Sequence, residues 1–222
     1  MSVDEPRGAL LVHRFVVEPF AENTYVLTDG DTRECVLIDP GGEEDAILDL
    51  LANERWTAKA ILNTHAHPDH VGGAARLQRE LAIPFYLHAR DTFLLDGLGE
   101  FCHALGIPPM EAPRVDYGLA EGDTFTLGSH AIRVLETPGH SPGSVSFLAG
   151  HLLFSGDALF EGSIGRTDLP GGSLAILLRS IREKILALPD ETAVLSGHGE
   201  ATTVGRERIE NPFLSEGIAR FQ

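Results

Sequence analysis

Four side chains able to bind a metal crowd into six residues. They are His65, His67, Asp69 and His70, in the run Thr64-His65-Ala66-His67-Pro68-Asp69-His70. On an extended loop, imidazoles at i and i+2 can converge on one ion, and Asp69 and His70 then turn toward a neighbouring position. Imidazole and carboxylate together suit zinc, iron or manganese. Pro68 sits where a helix begins, so Asp69 could instead cap a polar turn. Three histidines in one turn, however, have no packing reason to be there. Three further candidates stand in short loops, each after an apolar strand and a glycine: His140 in Thr137-Pro138-Gly139-His140, Asp157 in Phe154-Ser155-Gly156-Asp157, and His198 in Ser196-Gly197-His198-Gly199. A side chain so placed stands at the rim of a sheet. Ser141 and Ser144 lie near His140 but form no Ser-His-Asp arrangement. Cys35, within an apolar strand, and Cys102 read as unreactive.

The elements that must hold these loops follow from periodicity. Strands are predicted over residues 9–17, 24–28, 35–39, 59–63, 83–87, 123–128, 130–136, 143–149, 151–155 and 192–196. Helical spacing marks residues 43–55 (Ala46, Ile47, Leu50, Leu51), the stretch through Val71, Ala74, Ala75, Leu77 and Leu81, and residues 173–187. Residues 96–118, rich in Gly and Pro, read as irregular; they either shape a pocket or form a plain surface loop with short helices. The order is strands, helix, strand, helix, and then the same again. It suits two sheets packed face to face with helices outside, an α+β four-layer αβ/βα sandwich, better than a doubly wound parallel sheet.

The chain has 222 residues with 17 basic and 33 acidic side chains, a formal net charge of −16. So acidic a surface repels phosphate backbones, and no nucleic-acid partner is expected. Two cysteines exclude a disulfide framework and an all-cysteine zinc site. No apolar stretch approaches the roughly 20 residues that span a bilayer. Residues 1–7 are polar and acidic, without a signal-peptide core. The expectation is a single domain over residues 1–222, cytoplasmic, with no membrane partner.

The sequence resembles the metallo-β-lactamase superfamily, and within it the small glyoxalase II-like (hydroxyacylglutathione hydrolase-like) hydrolases. The likeness rests on Asp39 in Ile38-Asp39-Pro40-Gly41, the His65–His70 motif, His140, Asp157, Gly165-Arg166-Thr167-Asp168, His198, and the tail Glu210-Asn211-Pro212-Phe213-Leu214. The resemblance implies the same four-layer sandwich. It implies that His65, His67 and His140 hold one metal ion, that Asp69, His70 and His198 hold a second, and that Asp157 bridges them. The implied cofactors are two divalent ions, zinc first, with iron or manganese as alternatives. Such a pair lowers the pKa of a water to about 7 and polarises a carbonyl. Asp69 would also orient the attacking hydroxide, a catalytic role. Asp39 is either an outer group orienting a ligand histidine or a cap on the Pro-Gly-Gly turn.

The implied substrate is a small-molecule thioester, glutathione-linked, such as S-D-lactoylglutathione. Two features depart from the two-domain glyoxalase II pattern. With 24 residues after His198, the helical extension that helps bind glutathione is not expected here. Gly165-Arg166-Thr167-Asp168 replaces a Gly-Lys-Phe-Tyr stretch, leaving Arg166 either to meet a substrate carboxylate or to pair with Asp168. The main alternative is a persulfide dioxygenase acting on glutathione persulfide through one iron held by two His and one Asp. Its final motif resembles Ala-His-Asp-Tyr, and Gly197-His198-Gly199 favours the hydrolase. A true β-lactamase is disfavoured because Asp157 stands where several of those enzymes have Cys.

Overall fold

The structure is a computed structural model that describes residues 8–214. The stretch 1–7, on which the expectation of no leader rests, lies outside the described residues. The strands are β1 (Leu10–Val17), β2 (Glu22–Asp29), β3 (Glu34–Ile38), β4 (Thr57–Leu62), β5 (Phe85–His88), β6 (Tyr117–Leu119), β7 (Thr124–Leu127), β8 (His130–Glu136), β9 (Val145–Ala149), β10 (Leu152–Gly156), β11 (Leu159–Phe160), β12 (Ser163–Ile164), β13 (Ala193–Ser196) and β14 (Thr202–Thr203). The helices are α1 (Glu44–Glu54), α2 (Pro68–Val71), α3 (Ala74–Leu81), α4 (Thr92–Asp96), α5 (Leu98–Leu105), α6 (Leu174–Ser180) and α7 (Val204–Glu210).

Strands β1 to β6 form one sheet in chain order, and the second sheet runs β14-β13-β10-β9-β8-β7. Each sheet begins as an antiparallel meander and then adds a parallel strand by a helical crossover. In the first sheet α1 carries β3 to β4, and in the second α6 carries the chain toward β13, parallel to β10. Side-chain alternation builds the layers. On β2 and β3, Tyr25, Leu27, Val36 and Ile38 face the other sheet, where they meet Ile132, Val134, Phe147 and Phe154. Their neighbours Val26, Cys35 and Leu37 face outward and bury Ile47, Leu51, Leu77 and Leu98 of the helices. On the far side Leu135, Leu153 and Val194 bury Leu177, Ile181, Ile185 and Val204. The result is the four-layer αβ/βα sandwich.

Several elements differ from the sequence reading, among them β6, which closes the first sheet from within the stretch 96–118. The stretch 71–81 is not one helix: α2 and α3 are separated at Gly72-Gly73, where the Pro40-Gly41 turn comes so close that Gly73 N–H donates to the Pro40 carbonyl at 2.9 Å. Residues 98–105 are helical rather than irregular. Gly106, at φ 69°, ends that helix in the left-handed region that glycine accepts without strain. The helix over 173–187 is α-helical only to Ser180 and then widens into a π-helical turn, Ile181–Ile185. Among the described residues no helix is long and apolar enough to cross a membrane.

Candidate metal centre

Every candidate residue stands just beyond the carboxyl end of a strand, at one edge of the sandwich. Asp39 follows β3, the His65–His70 loop follows β4, His140 lies in the loop after β8, Asp157 follows β10, and His198 follows β13. Backbone bonds stitch the two sheets together there. Val145 N–H donates to the Thr64 carbonyl at 2.9 Å, and Asn23 N–H to the Gly197 carbonyl at 2.7 Å. Asn63, buried at the end of β4, donates its amide to the carbonyls of His65 and His70 at 3.1 and 2.9 Å. That one side chain folds the histidine loop back on itself.

The seven predicted side chains come together. His140 Nε2 lies 2.8 Å from His67 Nδ1 and 3.2 Å from His65 Nε2, so three ring nitrogens meet at one point. Asp69, His70 and His198 make a second group: His198 Nε2 is 3.3 Å and His70 Nε2 3.9 Å from the same Asp69 oxygen. Asp157 stands between the groups. One oxygen is 3.4 Å from His70 Nε2, and the other is 3.5 Å from both His140 Nε2 and His198 Nε2.

The outward nitrogens of four of these rings are held from behind. His140 Nδ1 donates to the Arg166 carbonyl at 2.7 Å and His198 Nδ1 to the Phe20 carbonyl at 3.1 Å. His70 Nδ1 lies 3.1 Å from Asp39, and His65 Nδ1 3.0 Å from the Thr64 hydroxyl, which itself donates to Asp39 at 2.5 Å. Such bonds fix the tautomer and aim the remaining lone pair inward. Asp39 also accepts the Thr64 N–H at 2.6 Å, so its carboxylate serves the ligand loop, the first of its two sequence-level readings. Arg166 takes the second of its readings: its guanidinium is bidentate to Asp168 at 2.7 and 2.8 Å, and both side chains are exposed. Its backbone carbonyl serves the site, which no side-chain type could signal.

The donor chemistry fits metal ions. Burial, and then the crowd of neighbouring imidazoles, pushes His65 well below the usual histidine range; His67 is lowered to about 3 by burial and His140. Both stay neutral, as ligands must. Burial alone would raise Asp157, but His70 and His140 hold it well below the carboxylate range. The buried His70 Nε2 and Asp157 Oδ1 have no hydrogen-bond partner. Buried polar atoms left unpaired are costly, and two of them facing each other suit an ion between them.

Two buried acids here lay beyond the sequence reading. Asp91, with no exposed surface, accepts the Gly143 N–H and the Ser141 hydroxyl at 2.6 Å each, and the Ala66 N–H at 3.4 Å. One carboxylate thus ties the loop carrying His65 and His67 to the loop carrying His140. Glu22 is wholly buried beside His70, its Oε1 3.8 Å from His70 Nδ1, and burial pushes it well above the carboxylate range. Glu22 opens β2 and Asp91 ends the short helical turn after β5, and neither position signals its role in the sequence.

Over the centre lies a cavity of about 280 Å³. Beside Asp69, His67, His140, Asp157 and His198 it is walled by Phe20, Phe101, Leu105, Phe160 and Leu169, with Arg166 at the edge. The stretch 96–118 therefore does reach the site, through Phe101 and Leu105 of α5.

The family model of the metallo-β-lactamase superfamily matches residues 17–198. The chain belongs to the metallo-β-lactamase superfamily. It is 43% identical over 206 residues to the probable metallo-hydrolase YqgX of Bacillus subtilis, covering 91% of this chain and 96% of that one. It is 36% identical over 203 residues to the hydroxyacylglutathione hydrolase GloC of Haemophilus influenzae, covering 90% and 95%. Among solved structures, the BLEG-1 B3 metallo-β-lactamase superposes with a TM-score of 0.86 at 43% identity, over 92% of this chain and all of that one. TTHA1623 in a di-iron-bound form gives 0.83 at 42% identity, over 91% and 100%. As a superfamily member the chain has the metallo-hydrolase fold together with donor groups that could hold metal ions.

Proposed function

We propose that this chain is a dinuclear metal-dependent hydrolase of thioesters, with glutathione thioesters such as S-D-lactoylglutathione as its substrate class. One observation carries the reading. The two donor groups share Asp157 and open into a cavity whose described lining has no Ser, Thr, Cys, Lys or Tyr. The carboxylates and imidazoles of the lining are the proposed metal donors, so the nucleophile left is water. Cys35 is buried away from the cavity, its thiol pushed up to about 12, and Ser141 is occupied by Asp91.

His65, His67 and His140 would hold one ion, Asp69, His70 and His198 the other, and Asp157 both. When bound, a divalent pair, zinc first or iron or manganese, acidifies a water and polarises the carbonyl it attacks. The chain's own residues do the rest. Asp69 reaches the cavity with part of its carboxylate exposed, so it can accept a hydrogen bond from the attacking water and orient it toward the carbonyl. Phe20, Phe101 and Phe160 exclude bulk water from the reacting group. A thiolate leaves with little protonation, which matches the lack of a further acid in the lining.

Glutathione as the thiol is supported by the likeness to GloC. The test is hydrolysis of S-D-lactoylglutathione by metal-replete protein, with His198→Ala beside it. The reading expects thiol release by the native chain and a loss of at least 100-fold in the variant. Sulfite formation from glutathione persulfide with oxygen uptake, and no thiol release from any thioester, would replace the reading with the one-iron dioxygenase.

A further inference from the structure

Beside the cavity over the metal centre runs a second one of about 280 Å³, lined by Val17, Pro19, Phe20, Ile107, Pro109 and Met110 among others. Phe20 and Asp69 line both, so the second is a side groove of the reaction site. Its walls are apolar, with Glu18 its one charged residue besides Asp69. Three wall positions, Pro19, Pro108 and Pro109, have no backbone N–H. No side chain lining it is cationic, and none is a hydroxyl, an amide or another ordinary hydrogen-bond donor. At the junction Phe20 is 36% exposed, and Leu105 at the cavity mouth is 44% exposed. Large apolar side chains gathered at the mouth of a polar centre mark a surface that a ligand covers.

We infer that this groove is the acyl subsite, and that it takes a straight, apolar acyl chain of medium length in preference to a short hydroxyacyl group. The assignment rests on the thioesterase reading above. The attacked carbonyl must lie over Asp157, between the two donor groups, with one substituent on each side. Arg166, the one Arg or Lys lining the cavity over the centre, does not line the groove, so the polar thiol portion belongs on its side. The acyl chain then passes Phe20 into the groove. Glu18 at its rim also disfavours an anionic thiol there.

The experiment is a matrix of thioesters assayed with metal-replete protein. One series holds glutathione constant and lengthens the acyl group through acetyl, butyryl, hexanoyl and octanoyl, beside D-lactoyl. The other holds acetyl constant and lengthens the alkyl chain of a neutral thiol. Each methylene buried in the groove should raise kcat/KM by up to about fourfold, which is about 0.8 kcal/mol. The acyl series should climb at least tenfold from acetyl until the groove is full, pass the lactoyl ester, and then level. The thiol series should stay within about threefold. Pro109→Glu, at an exposed wall position, should flatten the acyl ratio of hexanoyl to acetyl. Met110→Ala should move the optimum to a longer chain. Hydrolysis with a flat or falling acyl profile, or a climb in the thiol series alone, overturns the subsite and leaves the hydrolase reading standing. Absence of hydrolysis across the whole matrix overturns both.

Discussion

At the scale of single residues, the centre is organised as much from behind as from within. Asp39 touches no cavity, yet its carboxylate holds Thr64 and His70 through three contacts, and through the Thr64 hydroxyl it also steadies His65. Asp39→Asn should therefore weaken metal retention about 10- to 100-fold, the range for groups that orient ligands, as read by competition with a chelator. Asp91 acts one step further out. Asp91→Asn leaves Ser141 or Gly143 without a good acceptor and frees the His140 loop from the His65–His67 loop. A two-site chelator titration should show the three-histidine site weakened about tenfold and the Asp69–His70–His198 site unchanged. Arg166→Ala should leave metal content untouched, because the carbonyl and not the side chain holds His140. If metal content falls with it, the backbone assignment is wrong. The seven donors were legible in the sequence because histidine and aspartate at those spacings have few other uses. Asp91, Glu22 and Asn63 were not: each is one polar residue among ordinary neighbours, and its partners lie up to 52 positions away.

At the scale of elements, β3 and the end of β4 were legible as short apolar runs, because they are buried on both faces between a sheet and a helix layer. The helix α5 was hidden by glycines at 97, 99 and 106. Two of these flank the helix rather than break it, and Gly106 is its left-handed cap. The π-helical turn after α6 left no trace, since Ile181 and Ile185 keep the apolar pattern of an α-helix. The ligand-bearing turns are tighter than any pattern predicts. A Cβ on Gly197 would collide with Asp157 and His70, and one on Gly139, at φ 137°, would strike the backbone of Leu177. Gly197→Ala should accordingly release the ion held by His70 and His198 and cost about 1–3 kcal/mol through overpacking. Metal analysis together with thermal unfolding checks it, and a variant that keeps both ions would show that the loop relaxes freely.

At the scale of the whole molecule, the two sheets depend on ties at both edges. Opposite the metal centre, Asp29 at the end of β2 accepts the N–H groups of Asp31 and Thr32 and, across to the β7–β8 turn, of Ser129. The bond from Thr32, opposed by burial and reinforced by Ser129, lowers Asp29 below its ordinary value of 3.8. A carboxylate depressed in the folded state stabilises above its unfolded value and loses that contribution as pH falls through its folded value. The native chain should lose stability below about pH 4, and Asp29→Asn should be less stable at pH 7 by about 1–3 kcal/mol with a shallower acid slope, measured by denaturant unfolding across pH. The central claim is the shared two-ion centre, and the most direct measurement is metal content per chain during stepwise reconstitution, with thiol release from S-D-lactoylglutathione followed in the same samples. The account predicts saturation at two ions per chain, with activity rising as the second ion enters. Saturation at one iron per chain, with oxygen consumed on glutathione persulfide and no thioester cleaved, would contradict it.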